Sequence, residues 1–165
     1  MSRSLVLALA LLGWMTGCGP KPAGDGQKPV VPLADYTQAR NLANAVASDL
    51  LQQDMKDLFQ RLDPGFHMVV KDEKELGDHI GQMDKIYGRL LDFQFKASET
   101  GLRQDGVWRR ASRSFLYATK TTKYTYGKYF LRIEVVPAYD GRGPIVVSGF
   151  GYFTFKDGIV PENLK

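Results

Sequence analysis

Few side chains in this chain have the type and spacing that chemistry needs. Cys18 is the only thiol among 165 residues, and it follows Met15-Thr16-Gly17. His67 and His79 are the only imidazoles. His67 stands between Phe66 and Met68, a setting that suits the mouth of a cavity, although an exposed or hydrogen-bonded histidine is the commoner state. His79 lies beside Asp78 on a helical stretch, where a solvated face is the default. Two histidines with no cysteine to join them fall short of a zinc ligand set, so no metal site is assigned.

Glu134 lies on a strand-like stretch at the parity of Lys128 and Arg132, which points to a cross-strand charge pair rather than a buried base. Asp92 sits at the polar parity of its own strand, so neither carboxylate has the surroundings of a tuned base. No Gly-x-Ser-x-Gly turn occurs, and Gly141-Arg142-Gly143 is too short to cradle phosphate. No catalytic residue and no cofactor are expected.

The surroundings of Cys18 are more informative. Arg3 supplies a positive start, Leu5 to Leu12 form an uninterrupted apolar run, and Met15-Thr16-Gly17-Cys18 closes it. Such a segment is an export signal, too short for a stable transmembrane helix. Met15-Thr16-Gly17-Cys18 resembles the lipobox of bacterial lipoproteins, with Met15 where leucine is usual. The resemblance implies that residues 1–17 are removed and that Cys18 is diacylated, then acylated again on its new amine. An ordinary secretory signal with an incidental cysteine is the alternative; it would leave an unexplained thiol in an exported protein. Several acyl chains, at about 0.8 kcal/mol per buried methylene, make the lipid bilayer a lasting partner where one chain would let go. Gly19 stands where aspartate marks inner-membrane retention in Gram-negative lipoproteins, so for a Gram-negative host the resemblance implies the periplasmic face of the outer membrane. With Cys18 lipidated no internal disulfide can form, and the fold must rest on its apolar core.

Residues 18–32 read as the lipidated cysteine and a flexible tether, because Gly19 to Pro32 holds four prolines and three glycines without apolar periodicity. An edge strand at Val30-Val31 is the alternative. Residues 33–165 are long enough for one domain with its own core, and an apolar fraction of 44% with 24% charged residues suits a water-exposed globular chain.

The periodicity of that domain predicts helices first. Ala39, Leu42, Ala43, Val46 and Leu50 give a helical stripe over 34–51, with Asp35 as its N-cap. A second short helix starts at Asp54, with Asp57 three residues on, and Pro64-Gly65 ends it. Phe66 to Val70 is a short strand or a packed loop. A third helix spans 72–87, with Asp72 and Glu75 in a capping arrangement and Gly88 as C-cap. Gly77 and Gly81 either weaken it or let another backbone approach.

The period then changes to two. Leu91, Phe93, Phe95 and Ala97 share one face of a strand, and 100–106 form a turn. Long strands follow over 107–122, around 128–135 and over 145–155, the last two separated by the Asp140-Gly141-Arg142-Gly143-Pro144 turn. Gly149 and Gly151 suggest a bend or close packing over one face of the last strand. Arg109, Arg110, Arg113, Lys120, Lys123, Lys128 and Arg132 alternate with tyrosines; with a formal charge of only +4, falling to +3 once Arg3 is lost, a solvated sheet face explains them better than nucleic acid.

The fold class is therefore α+β, with N-terminal helices packed on a curved antiparallel sheet. The order of elements, Asp54-Met55-Lys56-Asp57-Leu58-Phe59 with Pro64-Gly65-Phe66, and Ser148-Gly149-Phe150-Gly151-Tyr152-Phe153 resemble the cystatin-like, nuclear transport factor 2-like cone, as found in small bacterial lipoproteins of unknown function. That fold hosts enzymes and binding modules alike. The expectation is an envelope lipoprotein whose domain binds a small apolar ligand or an envelope protein without catalysis, with His67, Tyr129 and Tyr152 as candidate ligand-binding residues. The alternatives are a pocket enzyme of the isomerase or dehydratase type and a structural subunit of an envelope assembly.

Overall fold

A computed structural model describes residues 30–33, 35–106, 108–138, 141, 143–155 and 161. The export segment, Cys18, Asp140 and Arg142 lie outside the described residues, so the expectations attached to them find no counterpart in the fold.

Each helix begins where an aspartate can satisfy a free backbone N–H. Asp35 accepts from the Thr37 amide at 2.6 Å and opens α1 (Tyr36–Gln52). Ala39, Ala43, Val46, Ala47 and Leu50 recur at helical spacing and are buried. Gln53, at φ 59°, closes α1, and its N–H bonds back to the Asp49 carbonyl. Asp54 accepts from the Asp57 amide at 3.1 Å and opens α2 (Met55–Arg61). Asp72 accepts from the Glu75 amide at 2.8 Å, while the Glu75 carboxylate reaches back to the Lys71 amide at 2.8 Å; together they open α3 (Glu73–Tyr87).

The connection from α2 to α3 departs from expectation. The helix stops at Arg61, before Pro64-Gly65, because Leu62 turns extended and bridges Val147 in parallel, and the Asp63 amide donates to the Val147 carbonyl at 2.8 Å. Phe66–Met68 is a 3₁₀ turn rather than a strand: the amides of Phe66, His67 and Met68 bond to the carbonyls of Asp63, Pro64 and Gly65. On α3, Gly77 and Gly81 admit no neighbouring backbone, since a Cβ at Gly77 would make ordinary contact with Met55 and one at Gly81 would meet open space.

The sheet is built on β3 (Trp108–Thr121). β2 (Leu90–Asp105) pairs antiparallel along the whole of one edge. The other edge is shared: β4 (Phe130–Val136) pairs antiparallel with Arg113–Ala118, and β1 (Val30–Val31) pairs parallel with Arg109 and Arg110. β5 (Val146–Phe153) lies antiparallel outside β4. Val30 and Val31, expected as part of the tether, thus belong to the sheet as the edge-strand alternative has it, and residues 18–29 of the expected tether lie outside the described residues.

The turn expected over 100–106 is strand as far as Asp105. Register with β3 continues through Gly101↔Ser112 to Asp105↔Trp108, and a Cβ at Gly101 would come 2.9 Å from the Ser112 hydroxyl oxygen. Turn-forming residue types were overridden by a partner strand of matching length. The expected stripe of Leu91, Phe93, Phe95 and Ala97 is also broken. Register shifts between Leu90 and Asp92 and between Phe95 and Ala97 leave Leu91 exposed and carry Ala97 to the opposite face. On β5, neither Gly149 nor Gly151 has anything packed over it; the bend reading holds instead, for Ser148 is the extra residue where the pairing jumps from Glu134↔Gly149 to Val135↔Val147.

The helices cover one sheet face. Phe115, Tyr117, Leu131, Ile133, Val135, Val147 and Phe150 meet the buried stripes of α1, α2 and α3 there. The other face carries a smaller cluster of Leu116, Ala118 and Phe130, with Ala97, Phe153 and Phe155 packed against it.

Candidate functional site

The most unusual residue of the fold is Arg110, only 1% exposed. Its parity on β3 puts it on the face away from the helices, near the β2–β3 turn. A buried guanidinium must have partners, or its desolvation would cost several kcal/mol. Nη1 donates to Asp63 Oδ2 at 2.6 Å and to the Pro137 carbonyl at 3.1 Å. Nη2 and Nε donate to Asp105 Oδ2 at 2.5 and 3.2 Å. Burial works against the charge, but Asp105 and Asp63 outweigh it and hold the guanidinium pKa above its ordinary value.

Arg103, opposite Arg110 in the β2–β3 register, extends the network. Its Nε donates to Asp105 Oδ1 at 2.9 Å, and its Nη1 to Glu134 Oε2 at 3.1 Å and to the Ser148 carbonyl at 3.4 Å. The Ser148 hydroxyl donates to Glu134 Oε2 at 2.9 Å. Here too burial opposes the charge, and Asp105 with Glu134 overcomes it. Glu134 is therefore ion-paired, with a partner two strands away rather than on its neighbour. The bulge at Ser148 aims that hydroxyl into the group.

A cleft of about 170 Å³ opens beside these residues, lined by Asp63, Gly65, Phe66, Val69, Arg103, Asp105 and Ser148. The Asp63-Pro64-Gly65 turn supplies one wall; Asp63 Oδ1 accepts from the Gly65 amide at 2.8 Å, so one carboxylate both shapes the turn and anchors Arg110. Phe66 and Val69 supply apolar surface. Among the described residues, two arginines face three carboxylates in this network.

None of His67, Tyr129 and Tyr152 lines this cleft. His67 is exposed, stacks on Phe59 with ring centroids 4.2 Å apart, and places Nε2 3.2 Å from the Phe59 carbonyl. Tyr129 and Tyr152 come together at the other end of β3, both against Tyr87 with centroids 5.1 Å apart, and Tyr124 packs on Tyr129 at 4.8 Å. Burial raises the Tyr152 phenol well above its ordinary value, and the nearby Asp84 charge adds to that. Asp92 is exposed and accepts a hydrogen bond from the Tyr126 hydroxyl.

The sequence reading missed Asp63, Arg103, Asp105 and Arg110 as a group and placed Arg110 on a solvated face. The available signals were the Asp-Pro-Gly and Asp-Gly turns, which put short carboxylates at strand and helix ends, with arginines beside one of them. The other basic residues behave as expected: Lys120, Lys123, Lys128 and Arg132 are exposed. Arg113 is half-buried and lies over the Tyr36 ring at 4.9 Å.

Among the described residues no group of histidines, cysteines and carboxylates could hold a metal ion, and no helix is long and apolar enough to cross a membrane. No protein-family model, curated protein or solved structure matches this chain.

Proposed function

We propose that this chain is a lipid-anchored protein of the bacterial cell envelope, fixed through Cys18, whose folded part binds without catalysing a reaction. The anchor rests on Met15-Thr16-Gly17-Cys18 behind a short apolar run. The binding reading rests on the cleft. Its charged groups are engaged with one another, so they shape and polarise the space rather than exchange protons. Its volume of about 170 Å³ is below the several hundred Å³ that a metabolite-sized ligand needs, so it suits one protein side chain or one small polar group. Such a group would lie against Phe66 and Val69 and meet the edge of Arg103.

In a Gram-negative host, Gly19 after the cysteine supports delivery to the periplasmic face of the outer membrane. The finer reading of the fold as the cystatin-like, nuclear transport factor 2-like cone is supported by helices that precede a bulged antiparallel meander.

Intact-mass analysis of protein from its native host tests the anchor. The expected species begins at Cys18 and carries the mass of its acyl chains; a bare Cys18, or residues 1–17 still attached, overturns it. Native mass spectrometry of the same preparation tests the cleft. A bound species should be present on the wild-type protein and lost from Val69→Asp; binding unaffected by that change places the ligand elsewhere.

A further inference from the structure

The cleft and the start of the domain share one end of the molecule. Val31 pairs with Arg110, and Arg110 is bonded to Asp63 and Asp105, which line the cleft. The chain therefore enters the fold beside the cleft. Among the described residues, four of the eight exposed large apolar side chains sit at this end: Met68 (84% exposed), Leu102 (52%), Val69 (41%) and Val30 (40%). Trp108, at the turn between β2 and β3, is there as well. Met68 and Val69 are held outward by the 3₁₀ turn, whose Phe66 and the adjoining Val69 line the cleft.

Eleven residues separate Cys18 from Val30. Taut, they span at most about 38 Å; as a coil their ends lie about 18 Å apart. A domain of this length has a radius of gyration of about 14 Å, hence a diameter near the taut limit. Turning the far end of β3 to the membrane would need the linker stretched along the whole domain. With the linker coiled, the end bearing Val30, Met68, Val69 and Leu102 is the one that meets the lipid.

We infer that this end is a membrane-docking surface: Met68 and Val69 enter the lipid interface, with Leu102 and Trp108 beside them, and the cleft opens onto the headgroups. The inference rests on the anchor reading and deepens it, because the group the cleft takes is then one presented at the bilayer surface. A cleft of about 170 Å³ with apolar lips fits a headgroup-sized polar group better than a diffusing metabolite.

The test uses the full chain, processed in its host and reconstituted into vesicles of phosphatidylethanolamine and phosphatidylglycerol with brominated acyl chains. Removal of residues 1–17 leaves Trp108 as the only tryptophan. In a Trp108→Phe background, Met68→Trp reports from the proposed face and Lys128→Trp from the opposite end; both replaced residues are exposed. Burial at the headgroup–acyl boundary should cut the Met68→Trp emission roughly twofold relative to unbrominated vesicles, with Lys128→Trp unchanged. Equal quenching at both positions, or none at Met68→Trp in protein whose mass shows the acyl chains, overturns the docking surface and leaves the anchor standing. A mass without acyl chains overturns both.

Discussion

Arg110 concentrates more electrostatic consequence than any other side chain described. Its charge is out of water and held by Asp63 and Asp105, so removing it leaves the buried Asp63 without its counter-ion and Asp105 with Arg103 alone. Arg110→Met is expected to destabilise the domain by about 3–5 kcal/mol, read as a lower urea midpoint. Replacing Arg110, Asp63 and Asp105 together with apolar residues should recover most of that loss, because no unpaired charge then stays buried. Two phenols make a second test. Burial raises the pKa of Tyr117, which also donates to Asn44 Oδ1 at 2.8 Å, and that of Tyr152. In the unfolded chain both titrate at about 10, whereas the folded state keeps their protons to higher pH. Their contribution to stability is therefore intact below about pH 10 and is lost as the pH rises through the folded values. Absorbance titration at alkaline pH should show two tyrosines ionising only with unfolding, and the urea midpoint should begin to fall as the pH is raised above about 10.

At the scale of elements, local chemistry was the legible part. Asp35, Asp54 and Asp72 open helices as their types and spacing predict, and Gly88 closes α3 at φ +80°. A Cβ at Gly88 would lie 2.8 Å from the Lys123 amide nitrogen, so Gly88→Ala should cost about 1–3 kcal/mol of stability, from strain and clash together. Gly81→Ala should instead stabilise by roughly 1 kcal/mol, since it lies in the interior of α3 with open space where the methyl would sit. Thermal unfolding of the two variants should shift in opposite directions. What could not be read was where alternation slips. A bulge at Lys96 or Ser148 has no residue signature of its own; it arises from how two strands pair, and it turns every later side chain to the other face. The same holds for Leu102 and Arg103, which carry loop-like neighbours and become strand because β3 runs beside them.

Across the whole molecule, the helices-then-meander order was readable from periodicity, and the polar cleft was not. Asp63, Arg103, Asp105, Arg110, Glu134 and Ser148 come from four separate stretches, brought together by strand pairing and by the bridge from Leu62 to Val147. No local pattern encodes that meeting. Cys18 is the one cysteine of the sequence and has no partner for an internal disulfide, so reducing agents should leave the melting temperature unchanged; a shift would mean that Cys18 pairs between molecules. The brief strand at Val30–Val31 has a mechanical consequence. On the proposed lipid anchor, any tug on the chain before Val30, its leash, reaches the described fold through a joint of two residues of ladder on β3. That joint peels first under load and lengthens the leash up to the cap of α1, while the sheet behind it stays whole. Val30–Val31 thus acts as a fuse between the leash and the fold.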